Sequence, residues 1–425
     1  MRLTLFGLVL AIAASAVRAQ QLAPPAIAPL TFNEALRQAE AASTLLRTRQ
    51  GQLAIAEGLR REAASPLFNN PELTAEQTRR RAASGSAGER AREGSFGISQ
   101  PFEIGGQQGR RREVASATRE AIEAEIADAR IQVRSEAALR FSAVLAAQRR
   151  VQIEERALSL FETSAQAVAR RREAGEDTRL DANVAAIEAE RARNTLALAR
   201  EQLINARAEL ATLLQSPVKQ LPEAVGDLAA AIPHPYTPEE LERSLQTLPR
   251  VRALVARESA ARARVGLENA NRSPDVRLGL NVGREGPPAE RERVTTVSVS
   301  VPLPIFRRND AAIGQAQAEA TQAEVERLAG TRDAEAQVRR LWLRLSSQID
   351  RVQRLQRATL SAALDNQQLA ARSRQAGQIG LLDQLVVNRQ ALDAEREVND
   401  ALAELQATRI ELERAAGWPH QGTAP

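Results

Sequence analysis

Cysteine is absent from this 425-residue chain, lysine occurs once (Lys219), histidine twice (His234 and His420), and aromatic residues make up only 3%. Without cysteine there is no disulfide framework, no thiolate metal site and no lipid-modified N-terminal cysteine. Both histidines stand beside prolines, and no Cys/His/carboxylate group has ligand spacing, so neither a resident metal nor a cofactor is expected. No Ser-His-Asp arrangement, phosphate-cradling glycine loop or carboxylate pair in a cleft suggests an enzyme. No basic block is interleaved with stacking aromatics, which argues against nucleic acid as a partner. Beyond the N-terminus no stretch approaches the roughly eighteen apolar residues of a membrane-spanning helix. Contact with a membrane would then require strands.

What is present is a helix-forming mixture rich in alanine, arginine, glutamate, glutamine and leucine, with 26% charged residues and a small net charge of +5. Arginines and carboxylates alternate at spacings of three and four and read as solvated or paired helix faces. Residues 1–19 combine Arg2, an apolar run from Leu3 to Ala14 and a Val17-Arg18-Ala19 cleavage site, the pattern of a secretory signal peptide.

The remainder says nearly the same thing twice. Residues 171–182 (RREAGEDTRLDA) match 373–384 (SRQAGQIGLLDQ), and 95–106 (SFGISQPFEIGG) match 296–307 (TVSVSVPLPIFR), both about 200 residues apart. The expected order in each half is a capped opening helix, a β-hairpin, a long helix, a tight turn and a return helix. The first half spans 20–215, a Pro-rich linker 216–238, the second half 239–416 and a tail 417–425.

Thr31-x-x-Glu34 and Thr237-Pro238-Glu239-Glu240 are capping boxes, opening helices that run to about Ala64 and Asn271. Val276, Leu278, Leu280 and Val282, then Val297, Val299 and Val301, alternate with polar residues as two half-buried strands around a loop with Pro287 and Pro288. The first hairpin is weaker, covering residues 72–77 and 96–99, with strand ends expected to reach further. Pro101, Pro302 and Pro304 should break the ladders. Helices of about 109–174 and 310–376 follow, each a rod of roughly 100 Å at about 1.5 Å per residue. Gly175 and Gly377 end the rods, and return helices cover 180–215 and 382–416.

The LTFNEAL start at residues 30–36, NPEL at 70–73, the strand-breaking QPFEIGG and VPLPIF segments and the two R-x-x-G turns followed by Leu180-Asp181 and Leu382-Asp383 resemble the TolC-like outer membrane efflux proteins over essentially the whole mature chain. QPFEIGGQQGRR at 100–111 is most similar to the cation-efflux branch. The resemblance implies a mainly α fold with a β-barrel segment. Two repeats per chain would give four strands to a trimeric twelve-stranded outer-membrane barrel, and coiled-coil helices to a periplasmic α-barrel. It implies a homotrimer in outer membrane lipid, joined by a periplasmic adaptor (a membrane fusion protein) to an inner-membrane efflux transporter, and serving as their passive exit duct.

Asp181 and Asp383 match the family's tip aspartates, which would ring the periplasmic mouth and favour cations; as residues alone, each equally reads as the cap of its helix. Gly175, Leu180, Gly377 and Leu382 form the turns where the resemblance places adaptor docking, although a helix-ending glycine is also an ordinary C-cap. The position where the family can carry a basic gating partner is Ile379 here. A rival class, a periplasmic coiled-coil adaptor or scaffold without a barrel, accounts for the helices but not for two β-hairpins.

Overall fold

A computed structural model describes residues 29–80, 91–217, 221–228, 236–245, 247–286 and 291–417. The signal peptide expected at 1–19, Lys219, His234, Pro287, Pro288 and the tail from 418, with His420, lie outside the described residues. The first half runs β1 (Leu30–Thr31), α1 (Phe32–Ala42), α2 (Thr44–Ala63), β2 (Glu72–Arg80), β3 (Ala91–Phe102), α3 (Gln107–Glu173) and α4 (Arg179–Leu213). After β4 (Ala224–Val225), which pairs in parallel with β1, the second half runs α5 (Pro238–Leu245), α6 (Pro249–Ala270), β5 (Val276–Glu285) and β6 (Glu292–Ser300). It ends with α7 (Asp310–Arg354), a π-helical turn (Leu355–Leu360), α8 (Ser361–Gln375) and α9 (Leu381–Ala415).

The rods and return helices fall where the sequence places them. Helix α3 is unbroken over 67 residues, and α4 and α9 are 35 residues each. The opening helices differ: each is two helices rather than one. Ser43 leaves the helical region (ψ 118°) and its Oγ caps α2 by accepting from Leu46 N at 3.3 Å. Leu248 (ψ 120°) precedes Pro249, whose ring disfavours helical backbone in the residue before it, so α6 restarts with proline at its N-terminus. The second capping box closes in both directions, Glu240 N to Thr237 Oγ1 at 3.3 Å and Thr237 N to Glu240 Oε2 at 3.0 Å. In the first, Thr31 Oγ1 accepts from Glu34 N, but the Glu34 carboxylate bonds Gln38 and Arg37 instead.

The main apolar core is equatorial. Phe32, Leu36, Val133, Phe141, Val144, Leu210, Leu345, Val352, Leu402 and Leu412 cluster there, with Phe32 and Phe141 edge-to-face at 5.5 Å. A second cluster joins Ile153, Phe161, Ala185, Ala189, Leu385 and Leu392 below it. Between the strands and the equator the helices approach closely: a Cβ on Gly330 would stand 2.4 Å from Leu254 Cδ1. Buried carboxylates tie rods together. Glu154 of α3, wholly buried, accepts from Arg150 Nε at 2.7 Å and from Arg396 Nε of α9 at 2.9 Å. Glu188 of α4 accepts from Arg389 Nε of α9 at 2.9 Å.

The strands form one antiparallel sheet in the order β2-β3-β5-β6. They are 9, 12, 10 and 9 residues long, so the first hairpin is fuller than its weak alternation indicates. Pro101 does not break β3. It lies past the last β2 pair, Glu72↔Ser99, where β3 has a neighbour only on its β5 side. Register sorts the two faces. Leu73, Ile98, Leu280 and Val297 stand in one row and Ala75, Phe96 and Val282 in the next, an apolar face. Thr74, Gly97, Asn281 and Thr296 make a row of the polar face. The polar face is crowded: a Cβ on Gly97 would stand 2.7 Å from Thr74 Oγ1, and one on Gly279 would stand 2.5 Å from Ser298 Oγ. This is the crowding of a concave surface, and it sets the apolar face outward. Among the described residues no helix is long and apolar enough to cross a membrane.

Candidate functional site

The far ends of the rods carry the predicted site residues. Gly175 (φ 80°) and Gly377 (φ 72°) each close a Schellman turn: Gly175 N bonds Arg172 O at 3.0 Å and Glu176 N bonds Arg171 O at 2.8 Å, while Gly377 N bonds Arg374 O at 3.1 Å and Gln378 N bonds Ser373 O at 2.8 Å. A left-handed residue is needed at each, and glycine supplies it without a Cβ penalty. Leu180 and Leu382 lie at the start of the return helices with their side chains largely in solvent.

Asp181 and Asp383 sit three residues past the N-caps of α4 and α9. Asp181 accepts from Thr178 N at 3.0 Å and from Thr178 Oγ1 at 2.6 Å, and returns the box through its own N–H to Thr178 Oγ1 at 3.1 Å. The Thr178 hydroxyl and then its backbone N–H hold the Asp181 carboxyl below the ordinary aspartate value of 3.8, with a smaller contribution from Arg374. Asp383 accepts from Gly380 N at 3.2 Å. Both aspartates therefore cap their helices, with cap bonds on Oδ2 in each.

One feature of the tips lay outside the sequence reading. Asp177, in the first turn, is clamped by Arg374 of α8, whose Nη2 stands 2.9 and 3.0 Å from the two carboxylate oxygens. Arg171 Nε stands 3.2 Å from Asp177 Oδ2, an ion pair without hydrogen-bond alignment. Arg374 Nη1 also reaches Ile379 O at 3.4 Å. A basic partner does meet the first tip, but from Arg374 rather than from the side chain at Ile379. The signal available in the sequence was an acid two residues past a helix-ending glycine, where it takes no part in the helix cap.

A second charged surface lies inside the sheet's concave face. Glu72, Glu76, Glu93, Glu285 and Glu292 share it, with Arg277 paired to Glu72. Glu285 and Glu292 are directly opposite one another. Among the described residues no group of three or more His, Cys, Asp or Glu side chains is arranged to hold a metal ion.

The sequence profile of the outer membrane efflux protein family matches residues 35–215 and 241–418. The cobalt-zinc-cadmium resistance protein CzcC of Cupriavidus metallidurans is 32% identical over 307 residues, covering 72% of this chain and 70% of that one. Among solved structures the outer-membrane channel OprN superposes with a TM-score of 0.76 at 23% identity, over 92% of this chain and 91% of its own. CusC superposes with a TM-score of 0.76 at 19% identity, over 94% and 96%. Proteins of this family are trimeric outer membrane channels that work with periplasmic adaptors and inner-membrane transporters. The scaffold alternative is thereby set aside, and the four-stranded sheet is one protomer's share of a barrel. The chain belongs to the outer membrane efflux protein family and is the outer membrane channel component of a tripartite efflux system, its helices extending into the periplasm.

Proposed function

We propose that this chain forms an exit duct for divalent transition-metal cations, losing residues 1–19 on export and contributing no bond-breaking chemistry of its own. The observation that carries the reading is the sign of the lumen: the register places five carboxylates (Glu72, Glu76, Glu93, Glu285 and Glu292) against two arginines (Arg80 and Arg277) on the concave face of each protomer's sheet. Rings of carboxylates raise the local concentration of cations and repel anions. The likeness to a cobalt-zinc-cadmium resistance protein supports the same cargo.

At the other end of the duct Asp181 and Asp383 supply the periplasmic gate ring, since Oδ1 takes no part in either helix cap. Leu180 and Leu382, exposed beside Gly175 and Gly377, supply the apolar contacts of adaptor docking, the mode in which a partner helix seats in a groove. The Asp177–Arg374 pair holds the two tips of one protomer together in the narrow state.

The test is single-channel recording of the purified trimer in asymmetric zinc or potassium chloride. Glu285→Gln with Glu292→Gln, and separately Asp181→Asn with Asp383→Asn, are expected to move the reversal potential toward anions. Unchanged reversal potentials in both variants would sink the cation-duct reading.

A further inference from the structure

We propose that the outer rim of the barrel carries a binding surface for the phosphate groups of a phosphorylated glycolipid of the outer leaflet, built from Arg79, Arg92, Arg284 and Arg293. The inference goes beyond the cation-duct reading and does not depend on it.

Register places all four arginines on the outward, apolar face. Val282 faces Thr295 in the last row that carries an apolar side chain; one step further out along the strands Arg284 faces Arg293, in the row of Gly94 and Gln77, and one step beyond that Arg79 faces Arg92. This end of the sheet is the one away from α3 and α7, hence the extracellular end. An outward side chain there has left the hydrocarbon and reached the headgroup level, where arginine costs far less than at the bilayer midplane.

Each arginine stands directly opposite another. Side chains so placed have Cβ atoms about 5 Å apart, and like charges in that relation are destabilising. Among the described residues none of the four forms an ion pair, whereas Arg277 on the concave face pairs with Glu72. Carboxylates are not scarce in these strands. Glu76, Glu93, Glu285 and Glu292 all belong to the concave face. The strands thus place every glutamate inward and four of their six arginines outward, so the outward face offers those four no carboxylate, where a merely solvated rim would mix the signs. Two unneutralised Arg–Arg pairs side by side suit a ligand bearing more than one anionic group. A guanidinium matches phosphate oxygens with two parallel N–H donors. The apolar rows beneath, Phe96 and Val282 and then Ile98 and Leu280, are placed to meet the acyl chains of the same molecule. Phosphates above and acyl chains below describe a lipid-A-like glycolipid, not free phosphate.

The test uses the full-length trimer in detergent, with bis-phosphorylated lipid A, dephosphorylated lipid A, phosphatidylglycerol and inorganic phosphate as probes, read by native mass spectrometry. The expected result is retention of bis-phosphorylated lipid A. Retention should fall at least about tenfold when the phosphates are removed, and equally in the variant with all four arginines changed to glutamine. Should that variant fail to trimerise, Arg79→Gln/Arg92→Gln and Arg284→Gln/Arg293→Gln separately are each expected to lose part of the binding. Equal retention of dephosphorylated lipid A, equal retention of phosphatidylglycerol, displacement by millimolar inorganic phosphate, or binding indifferent to the substitutions would each overturn the proposal. Channel conductance reads the cation duct separately, so failure of one leaves the other standing.

Discussion

Glu154 has no exposed surface and two arginine partners, Arg150 on its own helix and Arg396 across the interface with α9. Removing one member of such a buried group leaves uncompensated charge, so Glu154→Ala is expected to destabilise the protein by about 3–5 kcal/mol, read as the midpoint of thermal or denaturant unfolding. The control is Glu395→Ala, whose partner Arg156 is largely in solvent; that loss should stay within about 1 kcal/mol. At Asp181 the effect is one of pH. Its folded-state pKa is depressed by Thr178, so the cap contributes stability above the ordinary value of 3.8 and loses it as pH falls through the lower folded value. The protection of first-turn amides of α4 against hydrogen exchange, relative to the intrinsic rate at each pH, should therefore fall below about pH 4, and Thr178→Ala should remove that pH dependence at the turn. Such caps were legible because Thr178 and Asp181 are three apart in the sequence. The Asp177–Arg374 clamp was not, because its partners are 197 residues apart and meet only through the way the tips cross.

Among the elements, the duplicated rods could be read from periodicity and their glycine ends, and the structure keeps their lengths. The breaks in the opening helices could not: Ser43 lies inside an otherwise continuous helical pattern, and only its extended backbone and the bond to Leu46 reveal a second N-cap. The first hairpin was underread for a related reason. Its outward positions include Ala75 and Gln77, so apolar alternation fades although the ladder continues to Arg80↔Ala91. The clamp between the tips has a consequence at this scale. Arg374→Ala should raise the conductance of the isolated trimer in planar bilayers, and the exchange Asp177→Arg with Arg374→Asp should restore the low value. A conductance unaffected by Arg374→Ala would remove the clamp from gating.

For the molecule as a whole, the sheet has two open edges, β2 and β6, and an even number of strands, so β6 of one protomer meets β2 of the next in antiparallel sense. The absence of cysteine makes this directly testable. With Ser298→Cys in β6, a second cysteine scanned along β2 should form interprotomer disulfides only at concave-face positions among 72, 74, 76 and 78, and none at 73, 75 or 77, because a one-residue step carries a side chain to the other face. Closure with further copies was legible in the sequence from the need to leave no strand edge in lipid, whereas the number three came from the family resemblance. The sorting of charge between the faces was not, since it appears only once the register aligns Glu285 with Glu292 and Arg284 with Arg293.

Those open edges also bear on inheritance. A protomer whose β6 still pairs but whose lumen or tip is defective will enter assemblies with normal copies, because the edges carry no information about the rest of the chain. If a cell makes both forms equally and mixing is random, only about one assembly in eight is wholly normal, as three identical seats in a closed ring require. A tip variant that leaves the strands intact should therefore behave as a genetic dominant, whereas one that abolishes β6 is excluded from assembly and should be recessive.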